Sequence, residues 1–357
     1  MKQLFLTEEK SGRTLIQFSL PRQRNGKREG KDMDSLIYSL TATVPVFLVI
    51  VLGYVLRQIG LLDGGFVTVS NAFNFRVTLP VLLFCDMAGS HLREEFDVRL
   101  VLFCATVTTV MFFAIWFLAR LLLLRDKSLV GSFVQACCRS SVAVLGVAFI
   151  TNIYGNAGMA PQMILGSVPL FNIYAVVVLA FEGEHTGSTG DNLIRAARGA
   201  VTNPIIIGLA LGMLASLLDL SFPPMVNKTL GMVGGMATPQ ALICIGAGFE
   251  GRKAVARLKP ALAAAAVKLM ALPAVFLPLA VLLGFREQAL LAIVIMLGSP
   301  VTPSSYVMAK TMGGDDVLTS SAIVATTLLS AFTLTFWIFL FRQLAIWDSK
   351  NEKIYFA

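Results

Sequence analysis

Two prolines three residues apart, Pro300 and Pro303, stand midway along a long apolar tract, with Thr302, Ser304 and Ser305 around them. Each proline removes a backbone donor and clashes with the preceding turn, so an unbroken helix is not expected here. Inside a bilayer, freed backbone groups are tolerated only where they are buried in protein or line a polar cavity. A broken helix carrying small hydroxyl residues at membrane depth is how many secondary transporters build a substrate site. The competing reading is a proline-kinked helix that only packs.

A second polar interruption lies earlier, in CCRSSVAVLGVAFITNIYGNAG. Arg139, Ser140 and Ser141 fall about ten residues into their apolar run, close to the bilayer centre at ~1.5 Å rise per residue. Intramembrane charges are costly and usually functional or paired. Arg139 therefore attracts a carboxylate substrate, or else it snorkels or pairs with a structural acid. The hydroxyls of Ser140, Ser141, Thr302, Ser304 and Ser305 could hydrogen-bond a carboxylate. They could equally let helices approach closely.

Supporting polar positions follow the same logic. Asn74 and Arg76 lie nearer the cytoplasmic side of the second span, and Asp86 nearer the outside. Arg76 either snorkels or supports the site. Asp86 is either a proton-carrying carboxyl or an acid at the outer interface. Lys268 sits eight residues into the eighth span, and its long stem is expected to reach the membrane interface. Thr78–Leu79–Pro80 and Thr238–Pro239–Gln240 read as helix kinks rather than ligands.

The elements that must hold these residues are membrane spans. The 357 residues are 56% hydrophobic and 14% charged, against about 25% charged in soluble domains. The pattern predicts an all-α polytopic membrane protein of ten spans, near 36–57, 68–89, 98–122, 130–152, 159–181, 199–219, 229–249, 260–283, 288–311 and 317–341. The fourth and seventh are Gly- and Ser-rich and read least clearly as regular helices. Residues 1–35 form a polar tail, 182–198 a cytoplasmic linker and 342–357 a C-terminal tail. Met33, directly before the first apolar run, is an alternative start.

Loop charge sets the orientation. Loops after the odd spans carry Arg57, Arg120, Arg125, Lys127, Arg195, Arg198, Arg252, Lys253, Arg257, Lys259 and Lys310. Loops after the even spans carry Arg93, Arg99, Lys228 and Arg286. The excess places the first group in the cytoplasm and both termini outside. The basic stretch 1–32 runs against that orientation. A multi-pass protein of the inner (plasma) membrane is expected.

The chain also matches itself at an offset of 159 residues. Pro45 and Gly53 fall on Pro204 and Gly212. Pro80, Cys85 and Gly89 fall on Pro239, Cys244 and Gly248, Ser140 and Val142 on Ser299 and Val301, and Gly155 on Gly314. Each half, 36–181 and 199–341, holds five spans, so the second half inserts upside down. That is an inverted-topology repeat. It makes the fourth and ninth spans mates, broken and crossing at mid-membrane, with half-helix N-termini turned to a bound anion.

At these residues the chain resembles the auxin efflux carrier family, whose bacterial members include malonate- and malate-type permeases. The resemblance covers roughly 36–341 and rests on GYVLRQIGLL (53–62), LPVLLF (79–84), NPIIIGLALG (203–212), ATPQALICIGAG (237–248) and SPVTPSSYVMAKTMGGDD (299–316). It implies a ten-helix transporter of small organic anions, split into a scaffold and a transport domain, with no cofactor and with Asn172 facing the site. Aligned on Gly146, Ser141 stands where family members carry Asn and Ala148 where they carry Pro.

Other classes fit less well. The five cysteines, Cys85, Cys104, Cys137, Cys138 and Cys244, lie in apolar runs without metal-ligand spacing and read as small buried hydrophobes. His91 and His185 are far apart in loops, so no catalytic constellation or metal site forms and an enzyme is not expected. A channel would show a filter motif or charged rings. A sodium–proton antiporter would need midplane carboxylates, which spans four and nine lack, and a cation-coupled symporter or a receptor shares the architecture. The net charge of +8 fits cationic cytoplasmic loops rather than nucleic acid. The expected partners are a small organic anion, the lipid bilayer and a second copy in a homodimer.

Overall fold

The computed structural model describes residues 44–89, 97–122, 127–142, 150, 159–182, 202–249 and 251–343. Those residues form helices and turns, with no strand among them. The expected tails, the 182–198 linker beyond Glu182, both histidines, Gly146 and Ala148 lie outside the described residues.

Six helical stretches are long and apolar enough to cross a membrane: Gly64–Ala88, Val98–Leu122, Ala160–Glu182, Pro224–Ala247, Leu258–Leu282 and Asp316–Phe341. Four shorter apolar helices, Val44–Gln58, Leu129–Cys138, Pro204–Leu217 and Glu287–Gly298, overlap the expected first, fourth, sixth and ninth spans. In chain order we number α1 Val44–Gln58, α2 Gly64–Phe73, α3 Leu79–Ala88, α4 Val98–Leu122 and α5 Lys127–Cys138. Then come α6 Ala160–Glu182, α7 Pro204–Leu217, α8 Pro224–Gly235, α9 Ala237–Ala247, α10 Gly251–Ala256 and α11 Leu258–Ala266. The last four are α12 Leu272–Leu282, α13 Glu287–Gly298, α14 Ser304–Thr311 and α15 Asp316–Gln343.

Helix starts follow local chemistry. Asp63 caps α2 by accepting from the Phe66 amide at 2.6 Å. Asn203 caps α7 by accepting from the Ile205 amide at 2.9 Å, with Pro204 in the first turn. Both placements satisfy orphan donors where an oxygen side chain or a proline fits best.

Two five-residue π turns interrupt long spans, Asn74–Thr78 and Val267–Ala271. Each is followed by a leucine and then a proline, Pro80 and Pro273. A proline ring collides with the carbonyl four residues back. One extra residue per turn moves that carbonyl away, so the kink at Thr78–Leu79–Pro80 takes this form. The seventh span is interrupted at Met236, between α8 and α9.

Small residues let the helices touch. A Cβ on Gly53 would lie 2.3 Å from the carbonyl oxygen of Ile243, and one on Gly212 2.6 Å from that of Phe84. Both contacts are backbone against side-chain-free backbone, the packing that membrane helices favour. At the far end of α6, the Glu182 carboxylate accepts from Trp116 Nε1 at 2.6 Å and Arg120 Nε at 2.5 Å. That ties α4 to α6. The α13 helix is buried from Leu290 to Gly298. It carries the proline break.

Candidate functional site

The break begins where α13 ends. Ser299 is extended, with φ −66° and ψ 151°. Helical geometry resumes at Ser304, with Pro303 at φ −56° entering α14. In an unbroken helix the amide of residue 300 would bond the carbonyl of Met296. Pro300 has no amide hydrogen. Ser140 Oγ donates to that carbonyl instead, at 2.5 Å. The Val301 amide turns away to Thr326 Oγ1, 3.1 Å distant. The carbonyl of Leu297, left open by that turn, accepts from Lys268 Nζ at 2.9 Å.

The facing segment comes from α5, which stops at Cys138. Arg139, Ser140 and Ser141 are irregular and buried. The Ser141 amide donates to the carbonyl of Pro300 at 3.0 Å. The two interruptions therefore meet backbone to backbone, and each supplies groups that the other lacks.

Arg139 is 2% exposed. Its Nη1 donates to Gln135 Oε1 at 3.2 Å and lies 2.8 Å from Met308 Sδ. Its Nη2 donates to Asn172 Oδ1 at 2.9 Å and Ser304 Oγ at 2.8 Å. Its Nε has no hydrogen-bond partner. Among the described residues no carboxylate pairs with it, so neither snorkelling nor a structural acid accounts for it. The guanidinium also reaches the first residue of α14. A helix N-terminus carries partial positive charge and repels a cation. An anion there would relieve both.

Beside Arg139 lies a cavity of about 60 Å³, room for a few waters. Arg139, Ser140, Ser141, Asn172, Thr302 and Ser304 line its polar side. Leu79, Leu83, Phe171 and Ile205 line the apolar side, and Asp86 also borders it. Thr302 and Ser304 hydroxyls are 3.2 Å apart.

The remaining expected residues lie elsewhere. Pro300 and Pro303 shape the backbone. Ser305 is fully buried, its hydroxyl without a partner. Asn74 is spent on packing: its Nδ2 donates to the Ala237 carbonyl at 2.9 Å, and its Oδ1 accepts from Thr78 Oγ1 at 2.7 Å. Arg76 is exposed on the outer surface of its π turn, away from the cavity.

Lys268 is a correction. The expected snorkelling does not occur, because the side chain is fully buried within the Val267–Ala271 π turn. Its ammonium bonds Ser140 Oγ and the Leu297 carbonyl. Pro273, five residues on, is the sequence signal for that turn. Gln135 and Met308 are partners of Arg139 that sequence reading missed. Gln135 was legible as the residue one helical turn before Arg139. Met308 carried no signal.

A profile of the Membrane transport protein family matches residues 38–338. The chain belongs to that family. This is the auxin efflux carrier type of membrane transporter that its motifs resemble. It is also similar to a protein of Methanothermobacter thermautotrophicus described as an uncharacterized transporter. The two are 23% identical over 302 residues, which is 84% of this chain and 97% of that one. Membership covers both interrupted segments and the cavity between them.

Proposed function

We propose that this protein is a secondary-active transporter of small organic anions, mono- or dicarboxylates, that works by alternating access. One observation carries the reading. A buried guanidinium, with an unpartnered Nε and no acid paired with it among the described residues, faces a cavity at the N-terminus of α14. A desolvated carboxylate is held by charge-assisted hydrogen bonds and half-helix dipoles. Arg139, Asn172, Ser141, Thr302 and Ser304 are the groups assigned to it.

The architecture we assign is ten spans in two inverted five-helix repeats, with the fourth and ninth crossing at mid-membrane. Six long and four short apolar helices support the count. The offset of 159 supports the repeat: it carries the Gly53–Ile243 contact onto Gly212–Phe84, and Ser141 onto its partner Pro300. Placement in the plasma membrane with both termini outside rests on loop charge alone.

A thermal-shift screen of the purified protein against mono- and dicarboxylates tests the reading. A ligand bound only by the folded state raises the melting temperature. Uptake of the labelled hit into proteoliposomes then separates transport from reception. A screen with no stabilising carboxylate would overturn the anion assignment.

A further inference from the structure

We propose that Lys268 is a tethered cation occupying a pair of oxygens of the kind that can hold a monovalent metal ion, so that anion binding needs neither sodium nor potassium. The ammonium is fully buried. Both its hydrogen-bond partners are uncharged oxygens, Ser140 Oγ and the carbonyl of Leu297. A hydroxyl and a carbonyl at an interrupted helix are the ligand types that unwound membrane helices offer to sodium.

The position also suits a positive charge. The last carbonyls of α13 carry partial negative charge; Ile295 keeps the Ser299 amide, but Pro300 has none for Met296, and the Val301 amide turns from Leu297 to Thr326. Ser299 Oγ takes Ile295, Ser140 takes Met296 and Lys268 takes Leu297. Lys268 is the one charged group among the three. Ser140 receives Lys268 while donating to Met296, so the ammonium grips both interrupted segments at once. No acid is needed to hold it, and among the described residues none does. Arg139, on the next residue to Ser140, is left for the anion. One fixed cation thus neutralises the helix end, and the other receives cargo.

The inference rests on the transporter reading, but its test uses cations alone, so either can fail without the other. The melting temperature of the full chain would be measured in NaCl, KCl and choline chloride at equal ionic strength. The wild-type protein should melt at the same temperature in all three. Lys268→Ala vacates the site and should melt about 3 °C or more higher in NaCl or KCl than in choline chloride. Methylammonium chloride should stabilise the variant in the same way and leave wild type unmoved. Lys268→Met, which keeps the stem but no charge, serves if Lys268→Ala does not fold. Selective stabilisation of wild type by sodium or potassium would overturn the proposal. A folded variant indifferent to all four salts would overturn it too.

Discussion

The amide of Ser141 donates to the carbonyl of Pro300 at 3.0 Å, and the two residues stand at the chain's own repeat offset of 159. A residue bonded to its own counterpart marks where a two-fold axis of the proposed repeat would pass. On one side of this contact, Arg139 reaches α14. On the other, Lys268 closes the end of α13. The two interruptions are therefore one structural unit. A change in either segment should be felt in both.

Arg139 is the first place to test that unit. Arg139→Met removes a buried charge that no acid among the described residues pairs with, which relieves a desolvation cost. It also orphans the buried Asn172 Oδ1 and Gln135 Oε1, at roughly 1–3 kcal/mol each. These terms oppose one another, so the melting temperature without ligand should change little. Carboxylate affinity should fall by about ten-fold or more, since ~1.4 kcal/mol is one decade. Arg139→Lys should recover only part of it, because an ammonium lacks the planar fork. Calorimetric titration with the screened carboxylate measures both. Unchanged affinity in a folded Arg139→Met protein would make Arg139 structural.

Helix contact gives a stability prediction. A Cβ on Gly246 would lie 1.9 Å from the Ile50 carbonyl oxygen and 2.7 Å from the Tyr54 nitrogen. Neither is a flexible side chain, so α1 and α9 would have to separate. Gly246→Ala should cost about 3 kcal/mol or more, the upper end for overpacking. Gly231, inside α8, has nothing within 4 Å of that position. Gly231→Ala should instead gain roughly 0.5–1 kcal/mol from helix propensity. Detergent-solubilised melting curves of the two variants check the contrast.

Orientation can be tested at α10. This short helix carries Arg252 and Lys253, with Arg257 and Lys259 following, and Val255 on it is 73% exposed. A single cysteine at position 255, on a background lacking the five native cysteines, should react with an impermeant maleimide only after the membrane is opened. A cysteine at Leu220, in the turn after α7, should react in intact cells. The reverse pattern would invert the topology.

The site was partly legible in the sequence, and the boundary has a physical cause. Pro300 and Pro303 act through their own backbone, so the break could be read from local rules. Arg139 stood out because a charge deep in an apolar run needs a reason. The fate of Lys268 was not local. Its stem could reach the interface or the interior, and the carbonyl of Leu297 decided between them. Asn74 shows the same limit from the other side: a polar residue near the site is spent on the Ala237 carbonyl of a distant helix. Tertiary partners set both outcomes, and no periodicity in either span announces them.

Pro300 itself supplies the last test. Pro300→Ala restores an amide hydrogen at the break. The new donor can reach the carbonyl of Met296, where Ser140 now bonds, and continue α13 by one residue. Helix extension would then bring the Val301 amide towards Leu297, in competition with Lys268. Three bonds, from Ser140 and Lys268 to the end of α13 and from the Val301 amide to Thr326, give way to two within one helix. One bond is lost, at about 0.5–1.5 kcal/mol net, and the helix propensity of alanine offsets part of it. Folding stability should therefore stay within about 1 kcal/mol of wild type. Transport should fall by ten-fold or more, because the N-terminus of α14 and the Ser141–Pro300 contact no longer hold their positions. Ser304→Ala, which removes one hydroxyl next to Arg139, should cost only ~0.5–1.5 kcal/mol of binding. Proteoliposome uptake and melting temperature, measured on the same preparations, separate the two effects. Wild-type uptake by Pro300→Ala would mean that the break is not part of the transport site.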